Sequence, residues 1–100
     1  MANYTAIRRK FITPTANYKM DRQLFDSDNE EAVKLFIIAI EQETQCRLPY
    51  PVLAEIIRDT IGSRKVRHEI DNYCLVWKAS ETQISVTISE ISFGLDWREE

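Results

Sequence analysis

Hydrophobic positions recur at a helical period from Asp28 to Gly62 and at a strand period from Tyr73 to Ser89. In the first stretch Val33, Phe36, Ile37, Ile40 and Thr44 fall three or four apart and form one helix face. Leu35, Ile38 and Ala39 widen that face, so this helix is expected to be central and contacted on more than one side. Its start reads as an Asp28 cap with Glu31 as the reciprocal partner, in competition with Ser27 and Glu30. After Arg47-Leu48-Pro49-Tyr50, Pro51 suits the first turn of a second helix. Leu53, Ile56, Ile57 and Ile61 would be its buried side, with Gly62 as a left-handed stop.

From Tyr73-Cys74-Leu75-Val76-Trp77 the pattern becomes that of a strand. A turn at Ala79 to Thr82 leads to Ile84, Val86 and Ile88, which alternate with Ser85, Thr87 and Ser89. Ile91 and Phe93 extend the alternation, and Gly94 to Glu100 reads as a surface tail with Trp97 docked on the body. At the other end, Tyr4 to Thr13 has the alternation of an edge strand, and Arg8-Arg9-Lys10 would discourage a further strand from adding there. Pro14 is expected to end it, and residues 15–27 read as a long polar loop with room for a short helical turn.

Residues 63–71 admit two conformations. As a helix, Val66, Ile70 and Cys74 face inward and Arg64, Lys65, Arg67 and His68 face water. As a strand, Val66, His68 and Ile70 share one side, with Arg67 and Glu69 on the other. The helix gives the cleaner split and is the expectation adopted. The fold class is therefore α+β: two or three packed helices with a C-terminal antiparallel β-hairpin and an N-terminal edge strand. At 100 residues the chain is expected to form a single compact α+β domain over 1–100.

Composition narrows the chemistry. The longest apolar run, Leu35 to Ile40, is far short of the ~20 residues of a membrane span, so no membrane partner is expected. With only two cysteines, Cys46 and Cys74, no disulfide scaffold is implied, and a cytoplasmic location is expected. Only Gly62 and Gly94 are glycines, which excludes phosphate-binding glycine loops. The calcium-like start at Asp26 lacks the glycine and terminal glutamate such a loop needs. His68, Cys46 and Cys74 form no close ligand pair. No nucleophile sits beside a base, so the expectation is no enzyme, no cofactor and no metal.

Net charge is −3, unevenly spread: residues 1–22 carry +4, 63–70 carry +2, and the chain from Asp71 onward carries −4. Such a small acidic protein with opposed charge blocks and no reaction centre is expected to be a protein-binding module, an inhibitor or regulatory protein that masks a partner's surface. Its interaction face would draw on Arg64, Lys65, Arg67, His68, Arg8, Arg9, Lys10, Trp77 and Trp97. The helix–helix–basic helix–hairpin layout over residues 30–89 also resembles a winged helix-turn-helix domain. That resemblance implies a nucleic-acid-binding regulator placing Arg64, Lys65, Arg67 and His68 at the major groove. The pattern leaves homo-oligomerisation open.

Overall fold

The computed structural model describes residues 3–63 and 65–99. Its elements run β1 (Tyr4–Asp21), α1 (Arg22–Asp26), α2 (Glu30–Thr44), α3 (Tyr50–Ser63), β2 (Lys65–Ile70), β3 (Tyr73–Ala79) and β4 (Gln83–Glu99). The four strands form one antiparallel sheet in the order β1-β4-β3-β2. The helices cover one side of it, which we call the inner face, and leave the outer face open.

The expected α2 face is the observed one: Val33, Phe36, Ile37, Ile40 and Thr44 are all buried. On α3, Leu53 and Ile57 are buried as expected and are joined by Ala54 and Thr60, while Ile56 and Ile61 are half-buried. These helices lie on Leu75, Trp77, Ile84, Val86 and Ile88 of the sheet, completing one apolar core. Trp77 is its largest member at 0% exposure, with Phe36 edge-on at 6.2 Å between ring centroids.

Several local expectations change. Asn29 caps α2, accepting from the Ala32 N–H at 3.2 Å, because Asp28 turns left-handed and its carboxylate takes the Tyr50 hydroxyl instead. Gly62 lies within α3 and is not left-handed. The helix α2 meets the sheet, α1 and α3, but its outermost side is bare, with Leu35 69% and Ile38 47% exposed.

Residues 65–70 form a strand, which corrects the helical expectation. Asp71 and Asn72 are the cause: Asp71 takes φ 52°, a conformation that Asp and Asn tolerate, and closes a two-residue hairpin between β2 and β3. Val66, His68 and Ile70 then alternate inward beneath α3, an arrangement a helix could not match with β3 as neighbour.

β1 does not stop at Pro14. The register with β4 shifts between Pro14 and Ala16, and the displaced Thr15 donates its hydroxyl to the Ile88 carbonyl at 3.2 Å. Because the Ile91 N–H points to the Asn72 carbonyl, odd-numbered β4 residues turn their backbone groups away from β1. Pro14 pairs with one of these, Ser89, so its missing N–H faces the free edge and no ladder bond is lost. The one-residue shift also exchanges faces. Tyr18 and Met20 point into the core, whereas Tyr4 to Ile12 obey the opposite parity.

Beyond the Tyr73–Glu90 pair, β3 ends and only β1 and β4 continue, from Thr13–Glu90 out to Tyr4–Glu99. The expected C-terminal tail is thus a strand, and the result is a two-stranded arm roughly 30 Å long. It stretches the molecule to 68 × 25 × 18 Å, with a radius of gyration of 17.8 Å where a compact chain of this length has about 13 Å.

Two substitutions should separate the core from the bare side of α2. Trp77→Ala should cost about 3–5 kcal/mol in urea unfolding, whereas Leu35→Ser should change stability by less than about 0.5 kcal/mol. Comparable losses at both would show that the outer side of α2 is packed after all.

Candidate interaction surface

Strand parity and register assign the outer face residue by residue. One row crosses the body as Lys19, Ser85, Lys78 and Lys65; the next runs Asn17, Thr87, Val76 and Arg67. All four of these cationic side chains are exposed. A shallow depression lined by Lys19, Lys78 and Ser85 lies among them. Among the described residues, none forms a salt bridge with Lys19, Lys65 or Lys78. Most of the acidic side chains near residue 28 belong to the helix layer, with Glu30 near Lys34 and Asp26 near Arg22.

Glu69 holds the junction between body and arm. Its carboxylate lies 3.1 Å from Lys10 Nζ and 3.5 Å from Arg67 Nη2. Lys10 and Glu69 stand on opposite edge strands, about 14 Å apart in a flat sheet. Their contact therefore requires the sheet to coil with its outer face concave at this point. Cys74, Ser89 and Ile91 belong to that face and are buried there, consistent with the coil.

Along the arm the same face becomes apolar. Phe93, Leu95 and Trp97 are 55%, 62% and 67% exposed, and Tyr4 and Ile12 flank them on β1. Arg8 lies over the Phe93 ring, 4.1 Å from its centroid, a cation–π contact. The other face of the arm is tied by the Arg9–Asp96 ion pair and by Phe11, whose ring covers Gly94. A side chain at position 94 would meet that ring at 3.0 Å, which explains glycine there.

The sequence-derived face divides accordingly. Lys65, Arg67, Lys10, Arg8 and Trp97 share the outer face, while Arg9 is on the other side of the arm. Arg64 lies outside the described residues. Trp77 and His68 are corrected: both point inward, Trp77 fully buried and His68 half-buried beneath α3. The Trp77 indole N–H donates to His68 Nδ1 at 3.3 Å, and the two rings lie nearly parallel, 17° apart with centroids separated by 6.4 Å. Trp97 is not docked on the body. Lys19, Lys78 and Leu95 went unrecognised, although the Ile91/Phe93 alternation was the signal for Leu95.

Two titratable groups are displaced. Burial pushes the His68 pKa below its usual 6.5, keeping the ring neutral as an acceptor for Trp77. Partial burial and then the Asp71 carboxylate, 3.2 Å from Sγ, raise the Cys46 thiol above its ordinary value. Among the described residues no group of three or more His, Cys, Asp or Glu side chains gathers at one point, and no helix is long and apolar enough to cross a membrane.

Compared with protein-family models, curated proteins and solved structures, the chain matches none.

Two measurements follow. A His pKa lowered by folding favours the native state above about pH 6.5 and loses that contribution as pH falls below it. Wild type should therefore lose more stability between pH 7.5 and 5.5 than His68→Gln, which keeps an acceptor for Trp77 without titrating in that window; equal losses would contradict the assignment. For Cys46, alkylation at pH 8 should be slower than for a free thiol and should accelerate in Asp71→Asn. An unchanged rate in the variant would remove Asp71 from the account.

Proposed function

We propose that this chain is a non-catalytic protein-binding module that masks an acidic patch on a partner protein with the open face of its sheet. One observation carries the reading: an acidic protein keeps Lys19, Lys65, Arg67 and Lys78 together on an uncovered face that continues into exposed Phe93, Leu95 and Trp97. A cationic field of this kind steers association and fixes orientation, while desolvated aromatic anchors supply most of the affinity. The action is steric. The strands are preformed, so little ordering cost opposes docking, and no covalent bond changes.

A nucleic-acid reading is favoured by the same cations, but in a different form from the winged helix. That layout required residues 64–70 to coil into a groove-binding helix, and β2 occupies 65–70 instead. What remains is an open sheet, and the outer face of its body presents Asn17, Val76, Thr87 and Ser85 between the lysines. Single-strand binders stack bases on aromatic side chains at such positions, and among the described residues none is present on this part of the face.

The test is capture from the native cell with wild type and with Lys65→Glu/Arg67→Glu/Lys78→Glu, all at exposed positions where folding should be little affected. A polypeptide should copurify with wild type in a fixed ratio and fall by about tenfold or more with the triple variant. Recovery of nucleic acid alone, released by nuclease and lost with added salt, would replace the protein-binding reading by the other.

A further inference from the structure

We propose that two copies of this chain dimerise by antiparallel pairing of β4 with β4 along the arm, about a twofold axis through Leu95. This goes beyond the masking role and does not depend on it.

The two long edges of the arm differ. On β1 the free edge carries Arg8, Arg9 and Lys10 in succession, and a second β1 laid against it would bring like charges together. On β4 the free edge lies beyond Ile91, whose N–H is already taken by the Asn72 carbonyl. From there the ladder parity turns the N–H and C=O groups of Phe93, Leu95 and Trp97 outward, away from β1. The same residues place more than half of each side chain in solvent. An edge whose outward-turned backbone groups belong to exposed apolar residues is a template for another strand.

The sequence around Leu95 selects a second copy as that strand. Read outward from Leu95, Ser92-Phe93-Gly94-Leu95-Asp96-Trp97-Arg98 places Gly94 opposite Asp96, Phe93 opposite Trp97 and Ser92 opposite Arg98. A twofold pairing centred there sets Leu95 against itself and forms two Phe93–Trp97 cross-strand pairs on the outer face. On the other face Asp96 meets only Gly94 of the second copy, and its charge is already balanced by Arg9 of its own arm. Over the open edge, from Ser92 to Arg98, no like charges are opposed in this register. Moving it by one residue would set apolar side chains against the opposite face.

The size is adequate for a reversible association. An aromatic side chain covers about 150–250 Å² when buried. Phe93, Leu95 and Trp97 are already partly covered and keep their outer side in solvent when two edges pair, so two copies with their backbone edges bury well under ~1,000 Å², the range of weak, reversible contacts. The dimer should dissociate on the order of 100 micromolar. Its centre would be a four-stranded sheet, β1-β4-β4-β1, with both open faces on the same side, joining two cationic bodies across one apolar strip.

The test is sedimentation of the whole chain over a concentration series. Wild type should pass from monomer to dimer. Leu95→Lys and Leu95→Glu, each measured alone, should associate about 100-fold more weakly or worse, with circular dichroism confirming the fold. An equal mixture of the two should recover the dimer, because only pairing about Leu95 sets position 95 against itself. Leu35→Lys, exposed on α2, should dimerise as wild type does. A wild type monomeric at several hundred micromolar, a Lys variant that still dimerises, or a mixture that stays monomeric would each overturn the proposal. Partner capture by a monomeric chain would leave the masking role standing, so the two readings can fail separately.

Discussion

The pairing of β1 with β4 holds this molecule together, and one extra residue within it decides what each part can do. The ladder runs from Asp21–Gln83 to Tyr4–Glu99, much farther than the helix layer extends. A two-stranded ribbon is marginal in water by itself. Here the arm is a continuation of strands already anchored by Met20, Ile84, Val86 and Ile88, so the core meets the cost of setting its register. The shift at Thr15 then lets Tyr18 and Met20 face the core while Tyr4, Ala6, Arg8, Lys10 and Ile12 face outward. Without it, one of those two sets would be on the wrong side.

Much of the body was legible in the sequence because periodicity reports burial on a single face. The α2 stripe, Pro51 at the start of α3, and the inward Ile84, Val86 and Ile88 all follow from it. The errors arose where burial does not set the pattern. In the arm both faces meet solvent, so the alternation of Leu95 and Trp97 with Gly94 and Asp96 has no buried side to report, and residues 94–100 read as a tail. Pro14 reads as a terminator because its free-edge orientation depends on the partner strand. At residues 65–70 the helical and strand patterns were nearly balanced, and the Asp71-Asn72 turn decided between them. The two readings differed in where they put His68: inside under the strand pattern, and out in water under the helical one.

The candidate surface was partly legible for the same reason. Lys65, Arg67, Lys10, Arg8 and Trp97 were identified by charge and size, which are properties of single residues. Their grouping with Lys19 and Lys78 depends on strand order, which no local pattern encodes. Across the fold, most of the acids near residue 28 lie in the helix layer while cations dominate the open body of the sheet. A net charge of −3 therefore conceals a strongly two-sided molecule. The coil marked by Lys10 and Glu69 brings the cationic body and the apolar arm onto one concave surface.

Amide hydrogen exchange in dilute protein tests the β1–β4 ladder most directly. In the arm, Ser92, Gly94 and Asp96 turn their N–H groups toward β1, while Phe93, Leu95 and Trp97 turn theirs to solvent. The account predicts slow exchange at the first three and fast exchange at the second three, alternating residue by residue. Uniformly fast exchange from Ser92 to Trp97 would show that the arm is not a strand pair, and the surface built on it would be lost.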